Sequence, residues 1–326
     1  MESYLITGGA GFIGSNFIHY LLAHRPNCRI VNLDLLTYAG NLANLADIAQ
    51  DPRYQFVQGN INNQNLVQQL LRHYRIDYLV NFAAESHVDR SLKHPEVFLQ
   101  TNTQGTLALL ESAHQVGLKK FVQISTDEVY GSLELGGSAK FTEQAVPAPS
   151  SPYSASKAAA EMFVHSYYQT YGLDVNITRS SNNYGPYQYP EKLIPLLLTH
   201  GLQGQELPIY GTGENIRDWL YVEDNCRAID LVLHHGQAGE IYNIGGHAER
   251  SNNEIANLLV DQLNLSSNQI SYVADRLGHD QRYALDTSKI ERELGWQSQW
   301  RFEEGIEATI QWYLGHQTWW QKLVES

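Results

Sequence analysis

The stretch "ITGGAGFIGS", residues 6–15, sets Gly8, Gly11 and Gly14 between an apolar run, "YLIT" at 4–7, and a segment of helical period. Glycine here lets the chain turn tightly out of a strand, brings backbone N–H groups close to a pyrophosphate, and leaves the next helix pointing its N-terminus at negative charge. The glycines alone are weak evidence. Asp34, 20 residues past Gly14, closes a second apolar run, "RIVNLD" at 29–34. A carboxylate there accepts from both hydroxyls of an adenine ribose and repels a 2′-phosphate. Strand, turn, helix and acid together predict a dinucleotide site that takes NAD.

The alternation continues outward. "YQFVQG" (54–59), "YLVNFA" (78–83), "KFVQIS" (120–125) and "DVNITRS" (174–180) read as strands. Between them, "GFIGSNFIHYLLAH" places Ile13, Phe17, Tyr20 and His24 on one helical face, and "NNQNLVQQLLRHY" places Leu66, Leu70 and Tyr74 on another. Strands alternating with helices require right-handed crossovers and predict an α/β fold built on a Rossmann-type, doubly wound parallel sheet covered on both sides. After residue 180 the pattern loosens into a helix within 190–204, a short strand at 207–211, a helix and strand over 222–246, and amphipathic helices within 287–296 and 302–316. The reading is a Rossmann domain of 1–180 plus about 217–246 and a smaller C-terminal α/β substrate-binding domain of 181–216 plus 247–326. No Gly/Ser- or Pro-rich linker separates them, so the ligand cleft is expected at their interface.

Composition removes several classes of function. With 22 Lys and Arg against 35 Asp and Glu, the net charge of −13 repels nucleic acid and anionic membrane. An anionic substrate must then be held by a few local cations and N–H groups. The two cysteines, Cys28 and Cys226, form no disulfide framework or zinc spacing, and no H-E-x-x-H motif occurs, so no metal is expected. No basic leader and no apolar stretch of membrane-spanning length is visible, which reads as a soluble cytoplasmic protein.

"YSASK" sets Tyr153 and Lys157 four apart, on one face of a helix. A free phenol titrates near ~10 and is a poor base at neutral pH. A neighbouring ammonium and a positive nicotinamide would lower that value, so that Tyr153 accepts the proton of a substrate hydroxyl while hydride leaves for NAD. "STDEVYG" (125–131) ends a buried strand with two adjacent acids, Asp127 and Glu128. Such pairs ordinarily lie in water. A Thr before them, a Tyr after them and "YSASK" downstream set this pair apart.

With these residues in place, the chain resembles the extended short-chain dehydrogenase/reductase family and, within it, the nucleotide-sugar 4,6-dehydratases, most closely those acting on dTDP-glucose. The resemblance runs nearly end to end through "LTYAGN", "NFAAESHVDRS", "SPYSASKA", "TRSSNNYGPYQYPEKLIP", "GENIRDWLYVED", "YNIGG" and "DRLGHDQRYALD". It implies NAD contacts at Gly8, Gly11, Phe12, Ile13, Gly14, Asp34, Leu35 and Thr37, then at Asn60, Ile61, Phe82, Ala83, Ala84 and Ser86, and finally at Thr101, Tyr153, Lys157 and Asn183. It implies that Ser86, Thr126, Asp127, Glu128, Asn182, Lys192, Leu193, Pro208, Tyr210, Arg217, Asn252, Arg276 and His279 hold the sugar nucleotide. By the same resemblance Tyr153 is the base at the C4 hydroxyl and Thr126 bonds to that hydroxyl, Glu128 removes the C5 proton, and Asp127 protonates the C6 oxygen. Two neighbouring carboxyls take opposite roles only if their environments split their proton affinities.

Three other readings stay open: a 4,6-dehydratase of UDP- or CDP-glucose, a nucleotide-sugar 4-epimerase, which needs no acid pair, and a catalytically silent NAD-binding scaffold. Arg217 could instead form an ordinary surface ion pair with Asp218 or Glu214. The chain departs from the family pattern at Asn60, where Asp is common, at Ser180 (Cys), at Leu277 (Pro) and at Gln281 (a basic residue). The family also implies a homodimer that packs helices near 95–115 and 153–170 into a four-helix bundle.

Overall fold

The computed structural model describes residues 1–324. The first six apolar runs form β1 (Glu2–Thr7), β2 (Cys28–Asp34), β3 (Tyr54–Gln58), β4 (Tyr78–Asn81), β5 (Lys120–Thr126) and β6 (Val175–Ser180). Six strands follow: β7 (Asn182–Tyr184), β8 (Leu207–Tyr210), β9 (Ile216–Tyr221), β10 (Ile241–Ile244), β11 (Glu249–Ser251) and β12 (Ile270–Val273). Seven of them make one parallel sheet in the order β10-β6-β5-β4-β1-β2-β3. Helices cover both faces, so β4, β5 and β6 are buried along their whole length.

The helices are α1 (Phe12–His24), α2 (Gln64–His73), α3 (Val88–Lys93), α4 (Pro95–Phe98), α5 (Gly105–Val116), α6 (Pro152–Tyr171), α7 (Leu193–Leu202), α8 (Val222–His235), α9 (Asn252–Gln262), α10 (Ser288–Leu294), α11 (Phe302–Gly315) and α12 (Gln317–Val324). Strand side chains alternate between the two faces of the sheet. Tyr4 and Ile6 pack under α1, α8 and α10, whereas Leu5, Val31 and Phe121 pack under α2, α5 and α6. A third core joins α7, α9, α11 and Trp320 of α12 to β8 and β9. It forms the second lobe, with small sheets β11-β9-β7 and β12-β8.

Three details differ from the sequence reading. The buried face of α1 is Phe17, Ile18, Leu21 and Leu22, with His24 exposed, and that of α2 is Val67, Leu70 and Leu71. Each stripe is rotated about the helix axis, because Ile18, Leu21 and Leu22 on α1 and Val67 and Leu71 on α2 turn to the sheet-side cores. The helix at 288–294 packs on β10 and α8, with Ile290 and Trp296 in the first core, not with the second lobe. The return to the main sheet begins at α8, since β9 pairs with β7 and β11 instead.

At the end of the sheet opposite the glycine turn, His234 on α8 sits with Nδ1 3.2 Å from Asp230 Oδ1 and Nε2 3.1 Å from the Tyr4 hydroxyl. Arg25 bonds Asp230 at 2.8 Å. Burial opposes the imidazolium, but the hydrogen bonds and charge of Asp230 outweigh it, and His234 is held above its ordinary value. A raised value stabilises the fold fully below the unfolded pKa of ~6.5, and that contribution is lost as pH climbs through the folded value. The Tm gap between wild type and His234→Gln should therefore be largest near pH ~6 and shrink in alkaline buffer. A gap that does not change with pH in differential scanning calorimetry would refute the ion-pair account.

Candidate active site

The carboxyl ends of β1, β2, β4 and β5 face the second lobe across one cleft of about 520 Å³. That crevice is where a doubly wound sheet exposes its strand ends, and ligands bind there. Every candidate cofactor and substrate residue from the sequence lines it.

On the sheet side, the glycine turn is shaped by close approach. Gly8 has φ +69°, and a Cβ there would lie 2.5 Å from the Ala83 nitrogen; one on Gly14 would lie 2.4 Å from the Gly8 oxygen. Gly11 caps α1 with no side chain over the helix end, so the first N–H groups face the cleft. Asp34 accepts from Ala10 N at 2.9 Å and from Leu36 N at 2.8 Å, tying β2 to the turn. Burial pushes its carboxyl up, and those two N–H groups oppose the shift. A free helix end, a carboxylate at the tip of the second strand and the room to reach both fit a dinucleotide. Asn60 uses its carbonyl oxygen to accept from Asn62 N at 2.9 Å, leaving one lone pair for a ligand amino group. Asn183 lines the cleft with its amide already bonded, Nδ2 to Ser181 O at 2.9 Å and Oδ1 from Asn225 at 2.8 Å.

The helical run after α4 passes through a π-helical turn, Leu99–Gln104, that carries Thr101 to the cleft. In this turn Asn102 is buried, with Oδ1 accepting from Glu85 N at 2.9 Å and Nδ2 donating to Glu85 O at 3.0 Å and to Ser156 Oγ at 2.9 Å. One amide thus ties the cofactor loop to the helix that carries Tyr153. Sequence reasoning missed it because a π turn leaves no periodicity signal.

α6 starts where it does because Ser151 and Ser154 form a reciprocal cap and Pro152 occupies the first turn. Tyr153 and Lys157 follow one turn apart, both buried. Lys157 Nζ donates to Ile124 O at 2.6 Å, and burial pulls its ammonium down to about 8 against the opposing charge of Glu161. The lowering of Tyr153 expected from Lys157 is not what the protein alone produces. Burial and the Glu128 charge push the phenol up, a hydrogen bond with Thr126 opposes this, and Asp127 adds to the rise.

The acid pair sits in a tight 3₁₀ turn, Asp127–Tyr130, capped by Thr126, whose Oγ1 accepts from Glu128 N at 3.2 Å. The same hydroxyl lies 3.2 Å from Asp127 Oδ1, to which it donates. Asp127 is 2% exposed, and its Oδ2 has no hydrogen-bond partner. Burial, then the Glu128 charge, drive its carboxyl well above the ordinary range; Arg217 is the cation opposing them. Burial also raises Glu128, but Arg276, Lys192 and Arg217 all oppose that rise. Both carboxyls are raised, Asp127 the further, because the cations that oppose burial gather on Glu128.

Across the cleft, Arg217 is 5% exposed and donates to Ile216 O at 2.7 Å and Asp280 O at 2.9 Å, with its guanidinium 4.3 Å over the Tyr283 ring. The alternative ion pair fails: Asp218 is engaged by Gly246 N and Ala248 N, and Glu214 by Asn253. Lys192 Nζ donates to Ser86 O at 2.7 Å, and Arg276 Nε is buried without a partner. These three cations make a local anion site in an acidic protein. His279 is 2.6 Å from Asp275, Tyr210 donates to Asp89 at 2.8 Å, and Asn182 Oδ1 is unpartnered. Asn252, at the start of α9, bonds Asn215 O through its backbone N–H at 3.1 Å.

Among the described residues no cluster of three His, Cys, Asp or Glu is placed to hold a metal. The cleft also contains Glu85, His87, Asp89, Glu191 and Trp219, which sequence reasoning passed over although all five lie inside the strings quoted above. His87 is pulled down to about 4 by burial and then by Lys192, so it is neutral.

The family model described as GDP-mannose 4,6 dehydratase matches residues 5–309. The chain belongs to this family. It is 49% identical to the dTDP-glucose 4,6-dehydratase of Xanthomonas campestris pv. campestris, over 100% of this chain and 97% of the other. Among solved structures it superposes on the dTDP-glucose 4,6-dehydratase DesIV of Streptomyces venezuelae, solved with NAD bound, with TM-score 0.96 and 50% identity over 98% of this chain and 99% of that one. A UDP-glucose 4-epimerase of Thermotoga maritima gives TM-score 0.89 at 30% identity, over 96% of this chain and 99% of that one. The fold is therefore shared with a 4-epimerase, and the sequence lies nearer these dehydratases.

Proposed function

We propose that the protein is an NAD-dependent dTDP-glucose 4,6-dehydratase, a hydro-lyase that yields dTDP-4-keto-6-deoxyglucose and water. The observation that carries the reading is the unequal carboxyl pair at the end of β5, one acid buried almost alone and its neighbour faced by three cations. An epimerase has no task for such a pair; elimination of water needs both members.

The dinucleotide would lie along the glycine turn, Asp34, the 81–86 loop and Lys157, in the lobe of residues 1–180 and about 222–246. The remaining strands and helices of the second lobe, with Arg217, Lys192 and Arg276 toward the diphosphate, would take the sugar nucleotide. NAD bound there would supply the hydride acceptor for C4 of the sugar and the hydride donor for C6. Tyr153 accepts the C4 hydroxyl proton while the Thr126 hydroxyl holds that oxygen in place. The cationic ring of the cofactor would offset the burial that holds the phenol up. The C4 ketone acidifies the C5 hydrogen, which Glu128 removes as a base, and a proton returns to C5 when hydride reaches C6. Asp127, neutral, protonates the C6 oxygen so that it departs as water rather than hydroxide.

Two further assignments accompany this reading. Val97, Leu99, Met162, Phe163 and Tyr171 are between 37% and 55% exposed on the packed helices around 95–104 and α6, an apolar face that suits a homodimer. Analytical ultracentrifugation should give twice the chain mass, and Met162→Glu with Phe163→Glu should give monomers; a monomeric wild type would remove the assignment. The free, buried thiols of Cys28 and Cys226 suit a reducing compartment, the cytoplasm.

The reaction is tested with dTDP-glucose deuterated at C4. The label should reappear at C6 of a 4-keto product with no net consumption of NAD. Unchanged or 4-epimerised sugar would exclude the dehydratase reading.

A further inference from the structure

Leu35, Thr37, Ala39 and Gly40 line the dinucleotide half of the cleft, whereas Tyr38 between them is not part of its wall. The turn is held firmly on its own side: Gly40 N donates to Thr37 O at 3.0 Å, and Asn41 N donates to Ala10 O, in the glycine turn, at 3.0 Å. From it the Tyr38 side chain reaches the segment leading into α7. Its hydroxyl donates to Glu191 Oε1 at 2.8 Å, its ring meets Tyr189 edge-on at 5.6 Å, and the Arg90 guanidinium lies 3.7 Å over its face. Glu191 in turn lies 3.7 Å from His87 Nε2, and its neighbour Lys192 holds Ser86 O.

We propose that Tyr38 and Glu191 form a clasp that fastens the 35–40 turn across the dinucleotide, making Tyr38 a positioning residue for cofactor retention although it lines no part of the cleft. The inference rests on the dinucleotide reading of the site. For a bound dinucleotide to leave past this turn, residues 35–40 must lift, and lifting breaks a charge-assisted hydrogen bond and the Arg90–ring contact together. A reaction that reduces and reoxidises its cofactor within one turnover gains from such a fastening, because release of the reduced form would strand a ketone.

The test is the release rate of NAD from the purified holoprotein, chased with excess competing dinucleotide in the absence of any sugar nucleotide. It can be read whether or not the protein dehydrates sugars. Tyr38→Phe keeps the ring and its stacking and should release NAD about tenfold faster, the effect of one hydrogen bond to a charged group. At saturating NAD its kcat should match wild type, and its Tm should stay close to wild type. Glu191→Ala should accelerate release similarly, and the double variant should release no faster than Glu191→Ala alone. Wild-type release from Tyr38→Phe, or independent multiplying effects of the two substitutions, would overturn the clasp.

Discussion

Two carboxyl groups on consecutive residues at the end of a buried strand repel each other whenever both are charged, and the rest of the site follows from how that repulsion is resolved. Burial raises both groups, but Arg276, Lys192 and Arg217 oppose the rise at Glu128, while at Asp127 Arg217 faces burial and the charge of Glu128 together. Asp127 is therefore raised further than Glu128. The asymmetry comes from the fold: β5 delivers the pair to the cleft, the Thr126 cap fixes the turn that holds them, and the second lobe brings the cations from the other side.

The same division of labour organises the whole cleft. The parallel sheet supplies fixed points at its carboxyl ends, namely the glycine turn, Asp34 and the acid pair. The second lobe supplies positive charge that the acidic chain otherwise lacks. Buried polar groups such as Asn102 lock the two cofactor loops and α6 into one register. Positional accuracy at Tyr153 thus depends on a residue that never needs to touch a ligand.

Much of this was legible in the sequence. The parallel sheet followed from short runs such as "YLIT" and "KFVQIS" alternating with segments of helical period, because such units require crossover connections. The dinucleotide turn was legible because only glycine fits where Gly8 and Gly14 meet backbone. Helix faces were less so: α1 is apolar nearly all round, and only packing decides that Leu21 and Leu22 rather than Tyr20 and His24 face the sheet. The affiliation of α10 depended on a contact with β10 distant in sequence. Charge environments were the least legible, since the cations around Glu128 and the burial that holds the Tyr153 phenol up arise from segments far apart in the chain.

Where one proton resides decides the roles of Asp127 and Glu128, and infrared spectroscopy of the protein at neutral pH reads it directly. A carbonyl band of a protonated carboxyl should be present in the wild type, absent in Asp127→Asn, and retained in Glu128→Gln, because burial is the larger cause of the Asp127 shift. Loss of that band in Glu128→Gln with its survival in Asp127→Asn would reverse the acid and base, and no such band in either protein would contradict the division of roles altogether.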